Sequence, residues 1–482
     1  MIAVHVIANA HLDPVWLPAA SRRFFGKEWS MRAIVCAVGL LLTMAGAASG
    51  QASAAGAQSD WPQWRGPLAS GVAPSANPPV EWAENKNIRW KAAIPGQGLS
   101  SPIVWKDRIF LTTTIETGGK VDEEKIKTIE AETPEFHRSS ARMPRKVLQF
   151  VVLALKRSDG SVLWQRTVCE AAPHTATHAD GSWASGSPVT DGERVYAYFG
   201  SYGLCALDMD GKVEWQTRFG LFKMKANFGE GTSPVLCQDL LILSQDKEGG
   251  SFIVALDRKT GEEKWRKARD EETSWATPLI VDFNGVRQVI TSATRRIRGY
   301  DASSGELLWE SAGMTGNVIP SPVSDKGIVY CMSGFRGSAL LAIRLAASKG
   351  DVTSKPEAIA WSATKDTPYA PSPLLYDGLL YYGKVNAGVL TCADAATGKV
   401  HYASQRLEGI GTLYASPVGA AGRVYVTGRE GLTFVIKHGT EFEVLARNKL
   451  DDRFTASAAI VDGGLLLRGE KSLYCVAKDA SD

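Results

Sequence analysis

The sequence predicts an all-β chain: an eight-bladed β-propeller of four-stranded antiparallel blades, closed in its last blade by an N-terminal strand at about residues 87–93. Three observations carry this. A four-stranded unit recurs along the chain, its copies open at a near-constant spacing, and the final copy lacks a strand that the N-terminal region supplies. A period of about 40–45 residues with four strands per repeat is the signature of a propeller.

The unit is clearest between Thr232 and Trp265. Ser233-Pro234-Val235-Leu236 opens a strand with proline at its start, where a missing N–H is tolerated. Leu240-Leu241-Ile242-Leu243 forms an apolar second strand, Asp246 to Gly250 a turn, and Ser251 to Leu256 a third strand. Asp257 to Gly261 is a tight turn into a fourth strand ending at Trp265. Further copies open at Ser101-Pro102, Ser187-Pro188, Thr277-Pro278, Ser321-Pro322, Ser372-Pro373 and Ser416-Pro417, with a weaker one at Ser457-Ala458. The steps run from 41 to 51 residues, apart from a first step of 86. That step reads as one blade plus an insertion, because residues 115–146 hold no second opening and are highly charged. The last copy has no Gly-xxx-Trp strand, and Asn87-Ile88-Arg89-Trp90 provides one. Closing the ring this way removes open sheet edges.

Composition agrees. The 482 residues include 47 glycines and are 44% hydrophobic, as a turn-rich all-β chain requires. Such length suits one domain only where each repeat packs on its neighbours. The formal net charge of +3 gives no electrostatic case for nucleic acid. The seven cysteines show no zinc spacing and no adjacent pair, so they read as free, buried thiols, with a disulfide as the alternative in an oxidising compartment.

The chain divides into four parts. Residues 1–30 do not fit the rest and read as a spurious or non-native leader; residues 31–57, with a basic start at Met31-Arg32 and an apolar core, read as a secretory signal peptide. Its apolar run is too short for a convincing membrane span, so no integral membrane segment is expected in the mature chain. Residues 58–86 form an irregular Pro/Gly/Trp arm, packing on the propeller rim or plugging it, and residues 87–482 form the propeller. The 115–146 insertion reads as a solvated loop or, alternatively, as part of a binding face.

Ala255-Leu256-Asp257-Arg258-Lys259-Thr260-Gly261-Glu262-Glu263-Lys264-Trp265 resembles the tryptophan-docking repeat of pyrroloquinoline quinone (PQQ) propellers, and the likeness extends over roughly residues 60–482. Asp60-Trp61-Pro62-Gln63-Trp64-Arg65-Gly66-Pro67 resembles the start of secreted PQQ-repeat proteins. The resemblance implies one of two functional groups. Quinoprotein dehydrogenases bind PQQ and calcium; non-catalytic propellers include the lipoprotein of the outer-membrane β-barrel assembly machinery. Separately, Ala8-Asn9-Ala10-His11-Leu12-Asp13-Pro14-Val15-Trp16-Leu17 resembles the N-terminal strand of family 38 α-mannosidases, whose positions matching His11 and Asp13 bind zinc. The likeness ends there, and two ligands do not complete a four-coordinate site.

Propeller geometry places the connections into each blade and the second-to-third-strand turns on one face. That face carries Asn227, Glu230, Asp246, Trp275, Arg295, Arg336, Tyr369, Lys384, Tyr414, Arg429 and Glu430. Recurrent basic residues with aromatics at one mouth suggest a funnel for an acidic or sugar-like ligand or a protein partner. The alternative is solvated turn charges and inter-blade packing. His174 and His178, with His137 of the insertion, are weak metal candidates, in a stretch that reads as loop. The expected function is therefore an exported, monomeric binding or scaffold propeller, periplasmic or secreted, without a cofactor. The alternative is a PQQ-dependent oxidoreductase, for which Asn227, Glu230 and Asp246 would supply calcium oxygens.

Overall fold

The computed structural model describes residues 60–478; the leader and signal-peptide assignments lie outside the described residues. Eight antiparallel sheets follow one another in chain order, each with its strands stacked in sequence. Blade three is typical, with strands Val235–Cys237, Leu240–Gln245, Ser251–Asp257 and Glu263–Arg269. Blade eight is built from Ala459–Val461, Gly464–Arg468 and Ser472–Ala477, and its fourth strand is Ile88–Ala93, with Trp90 opposite Cys475. The ring is thus closed as the sequence predicts.

Two short parallel strands extend the sheets. Val72–Ala73 pairs with Val418–Ala420 of blade seven, and Gly350–Asp351, within the long turn before Trp361, pairs with Leu307–Ser311 of blade four.

The blades are held by two repeated devices. On the outside, the tryptophan of one blade docks under the turn glycine of the next. Trp164 meets Gly211, Trp215 meets Gly261, Trp265 meets Gly305, Trp361 meets Gly398, and Trp90 of blade eight meets Gly160 of blade one. A Cβ on any of these glycines would lie 2.5–2.7 Å from the indole. Each indole N–H also donates to a backbone carbonyl of that same turn, at 2.8–3.1 Å. Trp309 departs from this: its indole donates to Gln288 of its own blade at 2.8 Å, because blade five has no matching short turn.

On the inside, the Ser/Thr of the blade openings form a chain of hydrogen bonds around the axis. The backbone N–H of Ser101 donates to Ser187 Oγ at 2.9 Å. Ser187 donates likewise to Ser233, Ser233 to Thr277, Thr277 to Ser321, Ser321 to Ser372, Ser372 to Ser416 and Ser416 to Ser457, at 2.8–3.2 Å. The Ser-Pro opening is therefore an inter-blade clasp as well as a strand start.

The N-terminal arm bonds to blades one, two, six and seven. Trp61 exchanges two backbone hydrogen bonds with Val104 of blade one. Arg65, at φ +68 and 3% exposed, donates to the carbonyls of Pro417, Pro373 and Ser70 at 2.7–2.9 Å. Burial without a carboxylate partner lowers its pKa to about 9. Gly71 leaves room for that guanidinium, which a Cβ there would approach to 2.4 Å.

The charged insertion is ordered, unlike the solvated loop its composition suggests. Helix α1, Glu123–Glu132, is capped by Asp122, whose carboxylate accepts from the N–H groups of Glu124 and Lys125. It buries Ile126 and Ile129, two apolar positions hidden in the sequence among charges. The insertion then pairs Ala141–Arg142 with Thr177–His178 of the connection into blade two. All six cysteines among the described residues are free and buried.

Candidate axial binding cavity

The connections into successive blades converge on the axis above the hydroxyl ring. They enclose a cavity of about 450 Å³, within the range that takes small-molecule ligands. Its floor includes Ser101, Ser187, Ser233, Thr277, Ser321, Ser372, Ser416 and Ser457. Trp64 of the arm lines this cavity and, with Thr277, Ser321 and Ser372, a small neighbouring void. The walls are aromatic. Trp275 donates its indole N–H to Gly229 O at 2.8 Å, which turns its ring along the wall beside Phe228. Tyr369 stacks on Phe335 with centroids 5.0 Å apart, and Tyr414 of the next connection also lines the cavity.

Two carboxylates reach the lining, and both are engaged. Asp180 accepts from Tyr414 Oη at 3.0 Å and pairs with Arg429, so the connection into blade two is latched to blade seven. Burial pushes the Asp180 carboxyl up, but the bonds from Arg429 and Tyr414 outweigh it and hold the group below its ordinary range. Glu230 accepts from both the N–H and the hydroxyl of Ser201, each at 2.6 Å. Its carboxylate presses on Gly200, where a Cβ would lie 1.3 Å from an oxygen. Burial raises its pKa to about 7, against the two Ser201 bonds that lower it. A buried carboxyl with a shifted pKa in a cavity wall marks a candidate site.

Of the residues singled out from sequence, Glu230, Trp275, Tyr369 and Tyr414 line the cavity, as does His178; Arg429 stands behind Tyr414. The others lie elsewhere. Asn227 is buried against the insertion, donating to Thr133 Oγ1 at 3.0 Å. Asp246 is locked to Arg269 by bonds of 2.7 and 3.1 Å, with Ser274 as a further donor. Arg295 pairs with Glu272 at 3.3 Å, and Lys384 with Asp366 at 2.7 Å. Arg336 is exposed over Phe335, and Glu430 accepts from the N–H of Thr412 at 3.0 Å. Both ring nitrogens of His174 are occupied, one by Tyr202 Oη and one by Phe222 O. His178 stacks on His137 of the insertion, and its Nδ1 accepts from the N–H of Asp180. Among the described residues no three His, Cys, Asp or Glu side chains are grouped to hold a metal.

Sequence reading missed Trp64, Phe228, Phe335, Asp180 and the hydroxyl ring as parts of one cavity. The signal for the ring was present, since each opening Ser or Thr recurs at the blade period.

Tryptophan-docked blades around an aromatic axial cavity define a PQQ-repeat β-propeller. The family described as outer membrane protein assembly factor BamB matches residues 149–404 and 251–480, and the chain belongs to that family. No curated protein matches the sequence. Among solved structures, BamB from Moraxella catarrhalis is similar with a TM-score of 0.55 and 13% identity, over 81% of this chain and 97% of that one. The computationally designed Ika8 protein has a TM-score of 0.51 and 10% identity, over 80% and 99%. A quinohemoprotein alcohol dehydrogenase from Comamonas testosteroni has a TM-score of 0.47 and 13% identity, over 88% and 81%. At these identities the likeness is one of fold.

Proposed function

We propose that the protein is an exported binding module that takes a small uncharged ligand, or an uncharged group of a partner protein, into its axial cavity. The observation that carries this reading is the lining itself: aromatic walls over a hydroxyl floor, with no Lys or Arg side chain and both carboxylates engaged. Each basic residue of the funnel other than Arg336 faces a carboxylate, which favours an uncharged ligand over an acidic one.

The same lining bears on the oxidoreductase alternative. PQQ is a polycarboxylate, held in quinoproteins with calcium, which takes six to eight oxygen ligands. Asn227 and Asp246 are committed to Thr133 and Arg269, and Glu230 to Ser201. This donor set does not fit the cofactor. Export is supported by the 31–57 segment and by the family's outer-membrane description. The thiols are suited to an oxidising compartment, since burial pushes Cys205 and Cys331 up to about 12 and suppresses the reactive thiolate.

The test is a thermal-shift screen of the full chain against neutral small molecules, short peptides and PQQ with calcium. A saturable neutral ligand whose effect disappears in Trp275→Ala and Tyr369→Ala is the expected result. Saturable PQQ binding with dye-linked turnover would overturn the reading.

A further inference from the structure

The hydroxyl ring has an unused half. Ser187, Ser233, Thr277, Ser321, Ser372, Ser416 and Ser457 each accept a backbone N–H from the neighbouring blade. Among the described residues, each of these hydroxyls acts as an acceptor and none donates its own proton to a protein group, and all of them line the cavity. A hydroxyl carries one donor besides its acceptor lone pairs. Seven O–H donors from successive blades are thus left to the cavity, whose lining also contains Trp64 of the arm and the rings of Phe228, Trp275, Phe335, Tyr369 and Tyr414.

The occupant has to satisfy both halves. An apolar ring alone would leave the hydroxyls without acceptors in an enclosed site, which costs free energy for each buried group left unpaired. An anion would sit near Asp180 and Glu230 with no Lys or Arg side chain in the lining to offset its desolvation. A zwitterionic or cationic group has no unengaged carboxylate in the lining, since Asp180 is neutralised by Arg429 and Glu230 is held by Ser201. A pyranose meets each condition. Its C–H face stacks on an aromatic ring, and its equatorial hydroxyls radiate in the ring plane, where they both accept and donate.

From this we infer that the axial cavity is a saccharide site, in which a neutral, all-equatorial pyranose lies flat on Trp64 with its hydroxyls directed to the Ser/Thr ring. The inference rests on the reading of the cavity as the binding site and names its ligand class. The volume of about 450 Å³ leaves space above the ring for a further sugar unit between Trp275 and Tyr369.

The experiment is calorimetric titration of the full chain with methyl β-D-glucopyranoside, cellobiose and methyl β-D-galactopyranoside, the last with an axial hydroxyl. Saturable binding of the glucosides is expected, with the galactoside at least about ten-fold weaker, or ~1.4 kcal/mol. Trp64→Ala is expected to weaken the glucosides by about ten-fold or more, the same conversion applying. Because that substitution also alters the arm, saturation-transfer NMR on the unmodified chain provides a second readout. The axial ring protons facing the indole should receive the strongest transfer. Absence of saturable binding by any of the three sugars to folded protein, or glucoside binding unchanged by Trp64→Ala, would overturn the assignment. If the sugars fail while another neutral ligand binds and is lost in Trp275→Ala, the cavity reading stands and the saccharide assignment falls.

Discussion

Replacing Gly261 by alanine tests the tryptophan dock that joins the blades. Gly261 sits at φ +73, and an added Cβ would lie 2.7 Å from Cδ2 and Cε3 of Trp215. Left-handed backbone costs an L-residue about 1–2 kcal/mol. Forcing a methyl into a filled contact adds about 1–3 kcal/mol. Gly261→Ala should therefore destabilise the chain by about 2–5 kcal/mol. The control is Gly285→Ala in blade four. That glycine has φ +79 but nothing within 4 Å of its Cβ position, so only the backbone cost of about 1–2 kcal/mol applies. Urea unfolding followed by far-UV circular dichroism compares the two midpoints without relying on the indole being perturbed. Equal shifts in the two variants would refute the claim that the indole contact carries inter-blade stability.

Three further outcomes follow from other contacts. Ser321→Ala removes the acceptor of the Thr277 N–H and should cost about 1–3 kcal/mol, while Ser321→Thr should restore most of it, read by denaturant midpoint. Asp246→Ala leaves the Arg269 guanidinium buried without its carboxylate and should cost about 3–5 kcal/mol in the same assay. Glu230 has a folded-state pKa raised from 4.5 to about 7, so the folded chain binds the extra proton between those values. Its contribution is present at low pH and is lost as pH rises through about 7. Unfolding of the parent chain and Glu230→Gln between pH 4 and pH 8 (about the range set by that shift) should show the parent losing stability relative to the variant as pH rises; a constant difference would contradict the shift.

The fold was legible because a propeller writes its geometry into a period. Ser-Pro openings and the Gly-xxx-Trp strand recur at a fixed place and only the last copy lacks that strand, so Trp90 could be assigned to the closing blade from order alone. The site was legible in part. Trp275, Tyr369 and Tyr414 stand two or three residues before the openings of blades four, six and seven, and the axis brings such positions together. What remained hidden depends on partners far apart in sequence. Arg429 reads as a free funnel charge until Asp180, in the connection from blade one into blade two, is seen to hold it. Asp246 reads as an available oxygen ligand until Arg269 covers it. The insertion was masked for a different reason: Ile126 and Ile129 are its buried face, but acidic and basic neighbours dominate its composition.

The central claim is that this PQQ-repeat propeller binds through an uncharged axial site and does not carry the cofactor after which the repeat is called. Titration of the full chain with PQQ in the presence of calcium, followed by tryptophan fluorescence, tests it most directly, because Trp64 and Trp275 line the cavity. The account predicts no saturable change from a chain that still unfolds cooperatively. Stoichiometric quenching that requires calcium and is abolished by Trp275→Ala would contradict it.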